Sequence, residues 1–190
     1  MERNDQKLIV DYLNGDDGAI AFLIDRHLKD VFNFIRRLVG NREEAEDITQ
    51  ETFLKMWRNL KKYRLGENFK TWLFTIARNT AIDYMRKKRN FAFSDFEDDK
   101  GENALTESLT DTEPLPDEIF AKAEEKKLLE YALDKLSLPH RETILLYYTE
   151  HLTFISMKSE KILGEPLNTV KSRHRRALIE LRKLLDSNEH

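Results

Sequence analysis

Apolar residues along this chain recur at three- and four-residue spacing, the period of amphipathic helices, and no stretch sustains the alternation of a strand. Leu8, Ile9, Tyr12 and Leu13 set a short helix over residues 5–14, which Asn14-Gly15-Asp16-Asp17-Gly18 breaks. Leu23, His27, Val31, Phe34, Ile35 and Leu38 set a longer helix, ended by Gly40 and Asn41. A third runs from about Arg42 to Tyr63, with Ala45, Thr49, Thr52, Phe53, Met56, Trp57 and Leu60 as its buried stripe. A loop over Arg64–Lys70 leads to a fourth helix, capped by Thr71, with Phe69, Leu73, Ile76, Ala77, Thr80 and Tyr84 facing the core. This pattern predicts a helical bundle.

The pattern then stops. Asp95 to Glu118 holds ten acids and one base, with breaks at Gly101, Pro114 and Pro116. Such composition predicts a flexible acidic tether, or a segment that mimics nucleic acid in a basic channel. Helix resumes near Ile119, with Leu128, Leu129, Ala132, Leu133 and Leu136 as a stripe. Ser137-Leu138-Pro139 ends it and starts another containing Ile144, Leu145, Tyr147 and Tyr148. Thr153 is placed to cap the helix after that. The chain therefore reads as all-α. Two small helical domains, residues 1–92 and 119–190, are joined by an acidic linker over 93–118.

The last helical stretch carries the sharpest chemistry. Gly164 to Pro166 makes a turn, and Asn168 or Thr169 can cap the new helix. Val170, Ala177, Leu178, Leu181, Leu184, Leu185 and His174 fall on one side, with Ser172, Arg175, Arg176 and Lys183 opposite. Thr169, Lys171 and Arg182 flank that polar side. An apolar back and a cationic front suit the second helix of a helix-turn-helix, where Arg and Lys hold phosphates and Arg reads guanine edges. An ordinary surface helix with a solvated basic face shows the same layout.

Two earlier stretches carry chemistry of their own. Tyr63, Phe69 and Trp72 lie among Lys61, Lys62, Arg64, Lys70 and Arg78. Rings between cations suit unpaired bases on a tracked backbone, and rings at helical spacing equally suit a core. Arg86-Lys87-Lys88-Arg89 is a phosphate-contacting run. On the third helix Asp47, Glu51, Leu54 and Arg58 face outward, flanked by Ile48 and Gln50. That face is either merely solvated or, because of its Leu and Ile, a protein-binding surface.

Composition narrows the field. The formal net charge of the 190 residues is -3, so a nucleic-acid partner follows from where the charges sit, not from their sum. There is no cysteine, which excludes disulfides and thiolate metal sites. The five His residues form no ligand pair, and no cofactor or metal is expected. Carboxylates do not cluster with His or a Gly-rich loop, which argues against an enzyme. MERNDQKLIVDYL lacks the apolar core of a signal peptide, and no run approaches a membrane span, so a cytoplasmic location is expected.

Four segments in order, DITQETFLKMW, FKTWLFTIARNTAIDYMRKKR, LSLPHRETILLYY and LGEPLNTVKSRHRRALIELR, resemble bacterial RNA polymerase sigma factors. The compact two-domain form resembles the extracytoplasmic-function (ECF) group of the sigma-70 family. The resemblance implies a promoter-specificity subunit with no catalytic activity. It makes Asp47, Gln50, Glu51 and Leu54 the contacts to core polymerase. It assigns recognition and melting of the −10 element to Tyr63, Phe69, Trp72, Arg78 and Asn79, with Arg86, Lys87 and Arg89 on nearby backbone. It assigns the −35 element to Lys171, Ser172, Arg175 and Arg176, with Thr169 and Arg173 on phosphates. Expected partners are core RNA polymerase and promoter DNA, both duplex and melted, and the resemblance allows an anti-sigma factor. The linker would thread the polymerase's RNA-exit path. The alternative function is a stand-alone helix-turn-helix regulator, which leaves the DITQETF face and the aromatic loop without a role. One departure stands out: LTFISMKSEKILG is two residues longer than the family's usual first element, with Met157 and Lys158 where a small residue is usual. Either an irregular first helix or weakened positioning of the recognition helix is expected there.

Overall fold

The computed structural model describes residues 4–94, 127–158 and 162–186. Every regular element among them is helical. Helix α1 is Asp5–Leu13, α2 Asp17–Val39 and α3 Arg42–Asn59. A 3-10 turn over Leu60–Lys62 comes next, and α4 is Phe69–Ser94. Helix α5 occupies 127–135 and α6 Leu138–Ile144, continued by one π-helical turn over Leu145–Thr149. Helix α7 is Phe154–Lys158 and α8 Leu167–Asp186. The proposed linker, apart from its first two residues, and the expected restart near Ile119 lie outside the described residues.

The ends of the first three helices follow from local chemistry. Asn4 accepts from the Lys7 N–H at 2.9 Å, and Asn41 accepts from the Glu44 N–H at 3.0 Å. These side chains satisfy donors that the first turn of a helix leaves open. Gly40 ends α2 with a left-handed φ of 80° and returns its N–H to the Arg36 carbonyl at 2.9 Å. Helix α4 starts earlier than expected. Asn68 caps it, accepting from both the Thr71 N–H at 2.9 Å and the Thr71 hydroxyl at 3.1 Å. Thr71 is buried in the first turn instead of capping it.

Helices α1–α4 enclose one core. Leu8, Ile9, Leu23, Val31, Phe34, Ile35 and Leu38 meet Ala45, Phe53, Met56, Leu60, Leu73 and Ala77. Phe34 and Phe74 sit edge to face at 5.3 Å, and both are fully buried. Buried threonines return their hydroxyls to their own helix: Thr49 to the Ala45 carbonyl at 2.6 Å, Thr52 to Ile48 at 2.7 Å and Thr80 to Ile76 at 2.8 Å. That local bond is what lets a hydroxyl sit in an apolar stripe.

Two assignments on α3 reverse. Ile48, expected beside the outward face, is 1% exposed and belongs to the core. Trp57, expected in the core stripe, is 50% exposed, and its indole N–H donates to the Tyr12 hydroxyl at 2.6 Å. An indole needs a partner for its N–H, and the rim of α1 supplies one.

The second core is smaller. Ala132, Leu133 and Leu136 of α5 and its end pack with Ile144, Leu145, Leu146, Leu152, Met157, Ile162, Leu163, Val170 and Ala177. Leu129, expected in that stripe, is exposed. Thr153 caps α7 as expected, its hydroxyl accepting from the Ser156 N–H at 3.2 Å. Met157 is fully buried. Helix α7 spans five residues, and Leu163 N–H reaches back to the Met157 carbonyl at 3.3 Å. Gly164 then turns the chain with φ 66° into α8. Helix α8 begins at Leu167, so Asn168 and Thr169 lie within its first turn and neither caps it.

The two cores are continuous, and their residues form one buried apolar cluster. Beside that cluster, a polar seam joins α2 and, through Lys70 and Arg78, the N-terminal half of α4 to α6 and its π turn.

Candidate functional site

The expected functional residues fall on three surfaces. On α3, Asp47, Gln50 and Leu54 are exposed and Glu51 is half-buried, 3.6 Å from Lys55 one turn on. Leu54 is 42% exposed and lines an apolar groove of about 390 Å³ with Ile20, Ile24, Phe53 and Trp57. The outward apolar character is therefore Leu54 and Trp57, in place of Leu54 and Ile48. An apolar patch beside acids is the composition of a protein-docking surface.

The second surface is the start of α4. Here the structure separates residues that sequence reasoning grouped. Tyr63 is 7% exposed and Phe69 3%, so neither offers a free ring face. They pack with Trp72 into a cluster with centroids 5.3 to 5.8 Å apart, and His27 tilts against Phe69 at 5.4 Å. Trp72 is half-buried, and Asn79 is exposed. Arg86, Lys87 and Arg89 are exposed along the same helix, with Arg86 donating to Asp83 at 2.9 Å.

Arg78 is not directed to solvent. It crosses to α6 and holds the Glu142 carboxylate with two hydrogen bonds, Nε to Oε2 at 2.8 Å and Nη2 to Oε1 at 3.2 Å. Glu142 is 2% exposed, and Arg173 Nη1 of α8 approaches the same Oε1 at 3.8 Å. Lys70 Nζ lies 3.2 Å from the buried Glu150 and 3.6 Å from Asp30. Burial drives the Glu150 carboxyl above its ordinary range, and the nearby Lys70 offsets only part of this. Arg141 Nη1 adds a bond to the Leu38 carbonyl at 3.4 Å. The seam thus places a cation expected to contact −10 DNA in a fold-internal ion pair. Sequence reasoning missed Glu142 and Glu150. Their only signal was a carboxylate set among the apolar residues of RETILLYYTEHL.

The third surface is α8. Thr169, Lys171, Ser172, Arg175 and Arg176 are all exposed on one side, and Val170 and Ala177 are buried on the other. Arg173 departs from the expected set. It turns inward to the Glu165 carboxylate and toward Glu142, and is largely covered. His174 lies in a box of rings, 4.7 Å from Tyr147, 5.0 Å from Phe154 and 5.5 Å from Tyr148. Burial holds its imidazole below the ordinary range, toward the neutral form. That box seats the core face of α8, so the cationic face must turn outward.

Among the described residues no helix is long and apolar enough to cross a membrane. Residues 23–91 match the family model for Sigma-70 region 2. The ECF RNA polymerase sigma factor SigW of Bacillus subtilis (strain 168) is 33% identical over 191 residues, covering 97% of this chain and 98% of that one. ECF RNA polymerase sigma factor SigL of Mycobacterium tuberculosis is 33% identical over 166 residues, covering 86% of each. Among solved structures, sigma factor RpoE in complex with the anti-sigma factor NepR from Bartonella quintana superposes with a TM-score of 0.67 at 28% identity, covering 86% of this chain and 94% of that chain. The helical bundle, the outward-facing α8 and end-to-end similarity to these relatives agree: this chain belongs to the ECF group of RNA polymerase sigma factors.

Proposed function

We propose that this sigma factor divides its work among the three surfaces. Asp47, Gln50, Glu51 and Leu54, with the adjoining groove, dock on core polymerase. Trp72, Asn79, Arg86, Lys87 and Arg89, and Arg78 once released from Glu142, act on the −10 element and its melted strand. Lys171, Ser172, Arg175 and Arg176, with Thr169, engage the −35 duplex. Residues 1–92 form the polymerase-binding and −10 domain, residues 119–190 the −35 domain, and residues 93–118 the linker. The observation that carries the reading is α8, which exposes five polar and cationic residues on the face opposite Val170 and Ala177. A regulator needs only that face. A polymerase subunit also needs the apolar groove beside Asp47 and Leu54, and the chain has both. The related RpoE chain was solved with an anti-sigma factor, which supports a partner of that kind here.

The test is run-off transcription with purified core polymerase on a genomic library, repeated with Asp47→Ala combined with Leu54→Ala. The double variant is expected to retain its helicity and lose co-purification with polymerase. Full polymerase affinity in a folded double variant would remove the α3 assignment.

A further inference from the structure

Helix α1 precedes the segment matched by the Sigma-70 region 2 model, yet one of its side chains holds the loop that opens α4. The Gln6 amide nitrogen donates to the Tyr63 hydroxyl at 2.9 Å and to the Glu67 carbonyl at 2.8 Å. Its amide oxygen accepts from the Gly66 N–H at 3.1 Å. The Tyr63 hydroxyl donates in turn to the Glu67 carbonyl. One side chain therefore fixes three points of a short loop 57 to 61 residues away in sequence, and only a group that both donates and accepts can do so.

Gln6 is itself held in place. Its neighbour Asp5 meets Arg26 at 2.7 Å and His27 at 3.0 Å, and Leu8 and Ile9 are buried in the first core. At its far end the loop is also tied to α4 by Asn68, which accepts from Thr71. Its own backbone contributes the Glu67 N–H to the Arg64 carbonyl at 3.1 Å, and Gly66 sits at φ 94°. Tyr63 and Phe69 at its two ends are buried, so its outward surface is Arg64, Leu65 and Asn68 with the intervening backbone.

We propose that Gln6 is a positioning residue for promoter opening: it holds residues 63–68, and through the Tyr63–Trp72 ring contact the start of α4, in the one conformation that receives an unpaired −10 base. The inference rests on the −10 reading of α4. A base is captured only by the competent loop conformation, so apparent affinity falls with the fraction of loops that hold it. Gln6→Leu keeps the side chain's bulk and removes every hydrogen bond. Gln6→Glu keeps the acceptors, loses both donors and sets a carboxylate against the Glu67 carbonyl.

The experiment uses the full chain assembled with core polymerase. The probes are single-stranded oligonucleotides carrying the −10 element of a promoter found by run-off transcription, and single-base variants of it. A −35 duplex and core-polymerase affinity serve as references, and Trp72→Ala is measured in parallel. Both Gln6 variants are expected to bind the preferred oligonucleotide about tenfold more weakly, the loss of roughly one net hydrogen bond or more in loop order. Both should flatten the ranking among base variants and leave the −35 duplex and core affinity unchanged. If Gln6→Leu fails to fold, Gln6→Glu decides by the same criteria. Wild-type affinity and ranking in the Gln6 variants, while Trp72→Ala loses them, overturns the inference alone. Wild-type behaviour in Trp72→Ala as well overturns the −10 reading and the inference with it. Equal losses on all three probes mean that Gln6 only supports the fold, which also overturns it.

Discussion

Breaking the Arg78–Glu142 pair should loosen the hold of α4 on α6 and shift the chain toward a more open form. The pair consists of two charge-assisted hydrogen bonds, at 2.8 and 3.2 Å, to a carboxylate that is 2% exposed. Each such bond contributes about 1.5–3 kcal/mol. Desolvating Glu142 cancels a large part of that gain, because burying a carboxylate costs several kcal/mol before pairing. A net coupling of about 2 kcal/mol is left, within the roughly 0.5–3 kcal/mol seen between contacting residues. That corresponds to about a thirtyfold shift in the closed-to-open equilibrium. The consequence is functional, since an Arg78 fork occupied by Glu142 cannot hold DNA with the same nitrogens. The chain has no cysteine, so Glu43→Cys and Ile179→Cys would carry a fluorophore pair without interference. Energy transfer is then measured in the parent, Glu142→Gln, Arg78→Gln and the double variant, free of polymerase. Each single variant should open the chain, and the double should open it little further. Arg78→Gln separates this effect from the Arg173 contact that Glu142 also makes. A cycle coupling below about 0.5 kcal/mol, or one interdomain distance in all four proteins, would refute the idea that this pair closes the seam.

Other outcomes rest on single contacts. Burial raises the Asp5 carboxyl, but hydrogen bonds and charge from His27 and Arg26 outweigh it and leave it below its ordinary range. Its stabilisation is complete above the unfolded carboxylate range and lost as pH falls through the lower folded value. Asp5→Asn should therefore reduce the melting temperature at pH 7, with the difference shrinking as pH falls below the ordinary carboxylate range, as read by circular dichroism. Glu150 has the opposite sign. Its carboxyl is raised by burial, so its ionisation opposes folding above that range, and the penalty disappears on acidification. Glu150→Gln should leave stability at pH 7 equal or higher and flatten its decline with rising pH; a large loss at pH 7 would mean the Lys70 contact outweighs burial. Phe74→Ala should cost about 3–5 kcal/mol in urea unfolding, because it empties the fully buried partner of Phe34. On α8, Lys171→Ala should weaken all −35 variants about equally and reduce the salt slope by about one unit. Arg176→Ala should instead relax preference at one or two positions, a discrimination of about 1–3 kcal/mol. Equal losses from both substitutions across a panel of single-base variants would reduce the Arg176 face to backbone tracking.

The helices themselves could be read from local chemistry. Asn14 to Gly18, Gly40 with Asn41, and Gly164 to Pro166 punctuate the chain wherever the apolar period changes, because a helix must end where its stripe or its capping options end. The cationic face of α8 was legible for the same reason: period alone puts Val170 and Ala177 opposite Ser172, Arg175 and Arg176. Phe74 also carried a signal, since it shares its face with Ala77 and Ala81, three and seven positions on. What the period could not decide was how wide each buried face becomes, which depends on the number of elements packed around it. Ile48 is buried in the core, whereas Trp57 sits at the rim of an open groove beside Ile20 and Ile24 of α2 and the Tyr12 hydroxyl of α1. Tyr63 and Phe69 were ambiguous between stacking platform and core for the same reason, and α1 and α2 close over them. Long-range polar pairs left the weakest trace. Gln6 with Gly66, Arg78 with Glu142 and Lys70 with Glu150 join residues 60 to 80 positions apart. A lone Gln or Glu on a helix reads as solvated until another element arrives to desolvate it. Only then must its donors and acceptors be matched, and that match is a property of the folded chain alone.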